Sequence, residues 1–159
     1  MAEIKHTVTI NRSVGEVYRF VADFNNDPQW QKDVTGVHQS EGALRVGTMI
    51  TESRSTRAWT WKLDLNADVI DLKPNKLIEF KGVLGIFPAR IKYIFNFSRG
   101  TTEFTQEIKI HISFLYKIFS PFIRRAVGAR TQRTMENLKA LMEKERASGV
   151  TPIPERDDA

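Results

Sequence analysis

Residues 120–146 read SPFIRRAVGARTQRTMENLKALMEKER, a stretch that predicts one long helix. Ser120 can cap its first turn, and Pro121 suits the first helical position, where no backbone N–H is needed. Apolar and small side chains recur at spacings of three and four residues: Val127, Thr131, Thr134, Met135, Leu138, Leu141 and Met142. Most of the basic side chains, including Arg130, are predicted to lie outside this apolar stripe of the helix. A helix of this length is roughly 40 Å long, so it needs a large apolar surface to pack against.

The sequence before this helix predicts a sheet that supplies such a surface. Segments with strand character, separated mostly by short turns, lie at 3–10, 34–41, 46–56, 58–72, 76–84, 88–98 and 102–114. Apolar and polar side chains alternate clearly along most of them, which is typical of a sheet with one covered and one solvated face. Neighbouring strands joined by short turns are expected to pair antiparallel.

Two short helices are predicted between the first and second strands. Ser13 and Glu16 form a capping box that opens the first, and residues 25–28 end it before a further turn around Trp30. The order of elements predicts an α+β fold in which a seven-stranded curved antiparallel sheet wraps around the long C-terminal helix. We expect one domain over residues 1–146 and a disordered tail at 147–159.

Composition limits the classes of function. The 159 residues include 10 Phe, 3 Trp and 3 Tyr, enough for a substantial core, and no Cys, which excludes disulfides and thiolate chemistry. We find no signal-peptide pattern and no apolar run long enough to span a membrane, so we expect a cytoplasmic protein that can associate peripherally with a membrane. Without metal-binding or phosphate-binding motifs, we expect no metal and no cofactor. The net charge of +5 suits an anionic partner.

Four segments together resemble one superfamily: 13–23 after the opening strand, the turn at 27–30, the strand start at 46–48 and the helix end at 137–143. Over residues 3–146 the chain resembles the START / polyketide cyclase–dehydrase superfamily, whose architecture is called the helix-grip fold. The resemblance implies a cavity between the long helix and the sheet. Because this fold serves carriers, receptors and cyclases alike, it transfers no catalytic residue.

The predicted cavity wall follows from strand alternation. The inward side chains that we expect to contact a ligand are His6, Trp59, Trp61, Phe80, Ile91, Tyr93, Phe95, Phe104, Gln106 and Ile108, with Met135 from the helix. Phe97 falls on the same face, and the poorly alternating strand at 46–56 can add Glu52 or Arg54. Aromatic rings also simply fill cores, so a packed interior is the alternative for each of them.

Few of these inward groups are polar, which favours binding of a hydrophobic small molecule or lipid by a carrier or sensor. The alternative function is a polyketide cyclase- or dehydratase-like enzyme acting on a polycyclic or acyl substrate. In that case His6 is the first candidate base and Tyr93 the candidate hydrogen-bond donor, although a lone histidine on an apolar strand is more often a core residue.

One end of the predicted sheet combines apolar and basic side chains. If the strands alternate in direction, Ile86, Phe87, Phe119 and Phe122 gather there with Arg124 and Arg125. Such a surface suits an anionic membrane or a protein partner, including a second copy of the chain. The protein can therefore be a monomer or a homodimer. The alternative is that the apolar side chains pack back onto the sheet. We do not expect nucleic-acid binding, because the arginines of the long helix stand without a recognised motif.

Overall fold

A computed structural model describes residues 1–40, 42–55 and 64–147. The helices are α1 (Val14–Ala22), α2 (Asp27–Trp30) and α3 (Ser120–Ala147), with 3-10 segments at Phe24–Asn26 and Phe114–Phe119. The strands are β1 (Ala2–Ile10), β2 (Val34–Gln39), β3 (Met49–Arg54), β4 (Leu65–Lys73), β5 (Leu77–Leu84), β6 (Phe87–Ser98) and β7 (Thr101–Ile110). The predicted α+β class, the order of elements and the two short helices after β1 are confirmed.

The strands form one antiparallel sheet in the order β1-β7-β6-β5-β4-β3-β2. Strands β2 to β7 form a meander in which each strand pairs with the next along the chain, while β1 joins the far edge beside β7. Helix α3 lies against β1 and buries Ile123, Val127, Met135 and Leu138. This is the helix-grip arrangement that the sequence predicts.

The last strand is shorter than predicted. Its register pairs Ile110 with Ala2 of β1 and with Ala89 of β6, and His111 N–H still donates to Pro88 O at 2.8 Å. Strand β6 begins only one residue earlier, at Phe87, so the chain beyond His111 has almost no neighbouring strand left to pair with. It turns instead into the 3-10 segment at 114–119, which places apolar side chains in a connection rather than in the sheet.

Strands β4 and β5 approach each other closely at Gly82. A Cβ added there would lie 1.9 Å from the carbonyl oxygen of Asn66 and 2.6 Å from Cα of Ala67. Both obstacles are backbone atoms of the neighbouring strand, so neither can rotate away. Only glycine fits this position without a shift of the two strands.

We predict that Gly82→Ala lowers the free energy of unfolding by about 3 kcal/mol or more, because it forces two paired strands apart. Gly36→Ala is the matched control, since its added Cβ would meet only Ser53 Cβ at 4.0 Å. That substitution should change stability by less than about 1 kcal/mol. Urea unfolding of both variants measures the difference, and equally small effects would contradict the close approach.

Candidate functional site

An aromatic cluster lies between the first helices and the middle of the sheet. Tyr93 lies at its centre, with ring centroids 5.1 Å from Phe80, 5.4 Å from Phe104, 6.4 Å from Trp30 and 6.5 Å from Phe24. Most of these pairs meet edge to face, the arrangement in which a ring's positive edge meets another ring's negative face. The interior is therefore apolar, shaped by rigid rings and supplied by α2, β5, β6 and β7.

Most side chains predicted to contact a ligand belong to this interior. Those buried are Phe80, Ile91, Tyr93, Phe95, Phe104, Gln106, Ile108 and Met135. His6 is half-buried on β1 and lies opposite Gln106 in the register. Trp59 and Trp61 lie outside the described residues. The prediction that Phe97 faces the interior is wrong: its ring is 60% exposed, because it lies at the end of β6 beside the turn to β7.

Beside the aromatic cluster, an arginine of α3 joins the segment that follows α2. Arg130 Nε donates to Asp33 Oδ2 at 2.6 Å, and its Nη2 donates to Asp33 Oδ1 at 2.8 Å. The same Nη2 donates to Gln31 Oε1 at 2.9 Å. This fork geometry holds a guanidinium that is only 7% exposed. The contact fastens α3 to the chain between α2 and β2.

A second buried ion pair comes from β3. Arg54 Nη2 donates to Glu52 Oε2 at 2.7 Å, and both side chains are buried. The Asp27 side chain of α2 is fully buried and faces Glu52. These groups belong to one electrostatic unit, the charged cluster, which consists of Asp27, Gln31, Asp33, Glu52, Arg54 and Arg130.

The charged cluster borders the aromatic cluster. Trp30, which packs edge to face on Tyr93, carries its indole N–H toward the Asp27 carboxyl and favours the ionised form of that acid. Burial raises the pKa of Tyr93 well above its usual range, and the nearby Asp27 and Glu52 carboxyls raise it further. An apolar wall and a polar end therefore meet inside the molecule.

Burial and a neighbouring carboxyl change the proton affinity of this polar end. Burial, followed by the hydrogen bond and the negative charge of Glu52, raises the pKa of Asp27 well above its ordinary value. For Glu52, burial opposes ionisation, but the hydrogen bond with Asp27 and the Arg54 charge outweigh it and lower the pKa. Of the two coupled carboxyl groups, Asp27 therefore has the higher proton affinity and Glu52 the lower.

The ion pair between Asp33 and Arg130 sets the direction of the pKa shift of Asp33 but not that of Arg130. Burial disfavours ionised Asp33, yet the hydrogen bonds and charge of Arg130 lower its pKa. Burial and the repulsion from Arg54 lower the pKa of Arg130, which Asp33 partly offsets. An arginine keeps its proton at neutral pH despite such a shift, so Arg54 and Arg130 are both cations.

Several buried polar atoms of this region have no hydrogen-bond partner among the described residues. They are Gln31 Nε2, Arg54 Nε and, on β7, Gln106 Oε1, while the Asp27 carboxyl, Trp30 Nε1 and Glu52 Oε1 have only one another. A buried polar atom left unpaired costs about 1–3 kcal/mol, and native interiors contain few of them. Their concentration in one place marks the polar end as the candidate binding site.

A surface cleft adjoins the charged cluster. It measures about 320 Å³ and is lined by Lys32, Asp33, Ser55, Arg130, Arg133, Thr134 and Asn137. Asp33 and Arg130 belong both to this wall and to the charged cluster, so the ion pair separates the interior from the cleft. In the part of the chain that the structure describes, no group of three or more His, Cys, Asp or Glu side chains could hold a metal ion.

The apolar end of the molecule differs in part from its prediction. Ile86, Phe119 and Phe122 are exposed, as are Arg124 and Arg125. Phe87 is buried instead, because its ring meets Tyr116 edge to face at 5.6 Å. The same contact brings the 3-10 segment at 114–119 against the turn between β5 and β6. That segment adds three strongly exposed side chains, Phe114, Leu115 and Ile118.

Sequence reasoning missed most of the charged cluster. Arg130 was assigned to the polar side of the long helix, but it follows Val127 by three residues and precedes Thr134 by four, so it lies on the buried stripe. That spacing was a usable signal. Asp27 and Gln31 gave a weaker one, because a four-residue helix has no periodicity that separates buried from exposed positions.

The chain matches the family described as polyketide cyclase / dehydrase and lipid transport over residues 1–143, and it belongs to that family. Comparison with curated proteins finds no match. Among the described helices, none is long and apolar enough to cross a membrane.

Solved structures with the same fold come from several bacteria. A START superfamily protein from Mycobacterium smegmatis has a TM-score of 0.74 at 13% identity, over 91% of this chain and 99% of that one. The protein TTHA0849 from Thermus thermophilus also gives 0.74, at 12% identity over 92% and 99%. The Zhui aromatase/cyclase from a Streptomyces species gives 0.73, at 13% identity over 92% and 97%. At such identities the likeness shows the fold alone.

The raised pKa of Asp27 predicts a pH dependence of stability. Because the pKa of Asp27 is raised in the folded state, the folded protein holds a proton that the unfolded chain releases above about pH 4. Its contribution to stability is full below that pH and is lost as pH rises toward the folded pKa. In Asp27→Asn, which keeps the size and cannot ionise, this loss is absent.

The stability of Asp27→Asn minus that of the wild type should therefore increase from pH 4 to pH 8, by up to about 1.4 kcal/mol per pH unit. Urea unfolding across this range measures it. Asp23→Asn, at an exposed position, is the control and should follow the wild type. A difference that stays constant with pH would show that Asp27 is ionised in the folded protein.

Proposed function

We propose that this protein binds a hydrophobic small molecule or lipid between α3 and the sheet, as a carrier or sensor. The observation that carries the proposal is the joining of a ring-lined apolar interior to a buried polar end whose hydrogen-bonding atoms lack partners. Binding sites for small molecules have this composition, with mostly apolar walls and a few placed polar groups. The family description names lipid transport, which agrees with such a role.

Native mass spectrometry tests the proposal. We predict that gently purified protein carries an adduct, which denaturing extraction releases and identifies as a lipid or an aromatic compound. Met135→Trp should reduce the occupied fraction about fivefold or more, since Met135 is fully buried on the side of α3 that faces the sheet. Ala140→Trp, which adds the same ring at an exposed position of α3, should leave occupancy unchanged.

Equal occupancy in Met135→Trp and the wild type, with both variants folded by circular dichroism, would contradict a ligand beneath α3. A bare wild-type mass that stays bare after incubation with fatty acids and polycyclic ketones would contradict binding altogether.

A catalytic role is the second candidate, and the Asp27–Glu52 pair favours it. A protonated carboxyl beside an ionised one is an arrangement that enzymes use for acid–base work, and the family description includes cyclases and dehydrases. The sequence candidates differ in position: Tyr93 borders these carboxyls, whereas His6 is half-buried on β1. Conversion of the extracted compound during incubation with the protein would favour this function over that of a carrier.

We also propose that the end of the molecule formed by residues 114–119 and Ile86 docks on an anionic membrane. Phe114, Leu115 and Ile118 are each more than 80% exposed, and so are, to a large extent, Lys117 in the same segment and Arg124 and Arg125 in the first turns of α3. No acidic residue occurs from His111 to Met135 in the sequence. On the outer face of the sheet, a cleft of about 360 Å³ at the same end adds Lys81, Arg90, Lys92 and Lys109. Apolar side chains within basic surroundings suit an anionic bilayer.

Vesicle sedimentation tests the docking surface. Wild-type protein should bind phosphatidylcholine vesicles that contain phosphatidylglycerol and should not bind vesicles that lack it. The double variant Leu115→Ser/Ile118→Ser should bind about tenfold more weakly, because it removes the apolar contact. Phe97→Ser removes an exposed ring at the opposite end of β6 and should bind normally.

Unchanged vesicle binding in the double variant would contradict the membrane surface. If sedimentation equilibrium instead shows a wild-type dimer that the double variant dissociates, the surface is an interface between two copies of the chain.

A further inference from the structure

The outer face of the sheet carries three cations side by side on adjacent strands. In the register, Arg90 of β6 lies opposite Lys81 of β5 and also opposite Lys109 of β7. Neighbouring strands are about 4.8 Å apart, so this cationic row places three positive charges within about 10 Å. Like charges that face each other across an antiparallel pair repel, and an anion beside the row would relieve the repulsion.

The protein supplies an acidic contact only for the middle of the cationic row. Glu79 Oε1 lies 3.5 Å from Arg90 Nε and 4.0 Å from Lys92 Nζ, so one carboxylate serves two cations. Glu107, which lies opposite Lys92 in the register, is already paired, because its Oε1 lies 3.3 Å from Lys5 Nζ. The cations of this region therefore outnumber the carboxylates that contact them.

The two lysines of the cationic row lack such a contact. Among the described residues, neither Lys81 nor Lys109 forms an ion pair. Asp68 lies opposite Lys81 and Glu3 lies opposite Lys109, so both acids stand at the outer ends of the row. An anion from outside the protein would therefore gain most between the two lysines, beside Arg90.

A cleft of about 360 Å³ lies over the cationic row. Its wall includes all three cations of the row together with Lys92 and His111, and the described residues that line it include no acidic side chain. Toward the start of β6 the wall becomes apolar, at Met1 and Pro88. Charged side chains beside an apolar wall suit a ligand that carries an anionic group on an apolar body.

A phosphate monoester fits the cationic row better than other common anions. It carries a charge of about −1.5 to −2 near pH 7 and presents three acceptor oxygens. A planar guanidinium such as that of Arg90 can bind two of these oxygens at once, while lysine ammonium groups act as point charges. A phosphodiester or a carboxylate carries a single charge, so it would offset only one of the two lysines, Lys81 and Lys109.

The cleft lies at the end of the sheet that we propose to dock on a membrane. Pro88 follows Phe87, whose ring meets Tyr116 of the 3-10 segment at 114–119. Arg90 follows Phe87 by three residues, so its Cα lies about 10 Å from the start of β6. Long Lys and Arg side chains extend their charged heads toward a polar layer while their stems stay on the protein surface. The cationic row is therefore within reach of lipid headgroups when the segment contacts a bilayer.

We propose that this cleft is a headgroup site for a lipid with a phosphate monoester, such as phosphatidate, in which Arg90 binds the phosphate and Lys81 and Lys109 flank it. The inference rests on the proposed membrane docking, because it names the lipid class that the docking surface recognises. It concerns the outer face of the sheet and is independent of any ligand between α3 and the sheet. The three residues of the row act as specificity-determining residues.

Vesicle sedimentation with two lipid compositions tests the inference. One set of vesicles contains phosphatidylcholine with phosphatidate and the other phosphatidylcholine with phosphatidylglycerol, and both are adjusted to the same zeta potential. The full-length protein should bind the phosphatidate vesicles about fivefold or more tightly, because only the monoester engages both lysines and the guanidinium. Equal surface potential removes the general attraction of a basic protein from the comparison.

Three variants identify the residues that recognise the headgroup. Lys81→Gln/Lys109→Gln should reduce the preference for phosphatidate to about twofold or less, because it removes both flanking charges. Arg90→Lys keeps the charge but removes the planar fork, and it should lower the preference as well. Lys73→Gln/Lys76→Gln is the matched control: it removes the same net charge from the exposed turn between β4 and β5, at the other end of the sheet, and should preserve the preference.

A measurement on the wild type keeps the test decisive if a variant does not fold. With 15N-labelled protein, dihexanoyl phosphatidate below its micelle concentration should shift the backbone amide signals of Arg90 and Lys109. Inorganic phosphate should need about tenfold higher concentration for the same shift, because it lacks the apolar contact with Met1 and Pro88.

The outcomes separate this inference from the proposed docking. Equal binding of the two vesicle types overturns the inference and leaves the docking standing, since phosphatidylglycerol alone suffices for that. A preference that survives in Lys81→Gln/Lys109→Gln overturns it too, because the headgroup then binds elsewhere. Saturation by inorganic phosphate at the concentration that dihexanoyl phosphatidate requires would assign the cleft to a free phosphate and overturn the lipid site. If neither vesicle type binds, the docking proposal fails together with the inference.

Discussion

A buried guanidinium needs carboxylate oxygens in the right plane, and the fork between Arg130 and Asp33 meets that need. Removal of one partner from such a pair leaves a charge inside the protein, at a cost of several kcal/mol. The pair therefore fixes where α3 lies along its axis relative to the segment after α2. The same guanidinium donates to Gln31, and the pair lies between the interior and the cleft.

The aromatic cluster and the charged cluster each change the environment of the other. Tyr93 and its neighbouring rings exclude water from one side of the carboxyl pair, and this burial raises the pKa of Asp27. The charged cluster also affects the adjoining interior. A purely hydrocarbon ligand would leave several donors and acceptors there without partners, which is unfavourable. A ligand with one polar atom suits this boundary better than either cluster alone.

An exposed apolar surface of the molecule lies at one end of the sheet. At the end where β6 begins, Phe87 is packed on Tyr116, so the exposed apolar surface consists of a short connecting segment instead of the sheet itself. That segment leads directly into α3, the element that covers the interior and carries Arg130. A contact that moves residues 114–119 is thus connected, through one continuous helix, to the ion pair beside the polar end.

The sequence by itself determined the elements, because their signals are local. The capping box at Ser13, the alternation along β5 to β7 and the periodicity after Pro121 each act within a few residues, and the antiparallel order follows from short turns. From the same alternation it also predicted the buried positions of Phe80, Tyr93, Phe95 and Phe104, but it placed Phe97 wrongly. Tertiary structure decided the rest. Whether Arg130 is buried depends on Asp33, nearly a hundred residues away, and whether Phe87 is exposed depends on Tyr116. The raised pKa of Asp27 arises because folding brings two carboxyl groups that are distant in the sequence together out of water, and no local pattern encodes that.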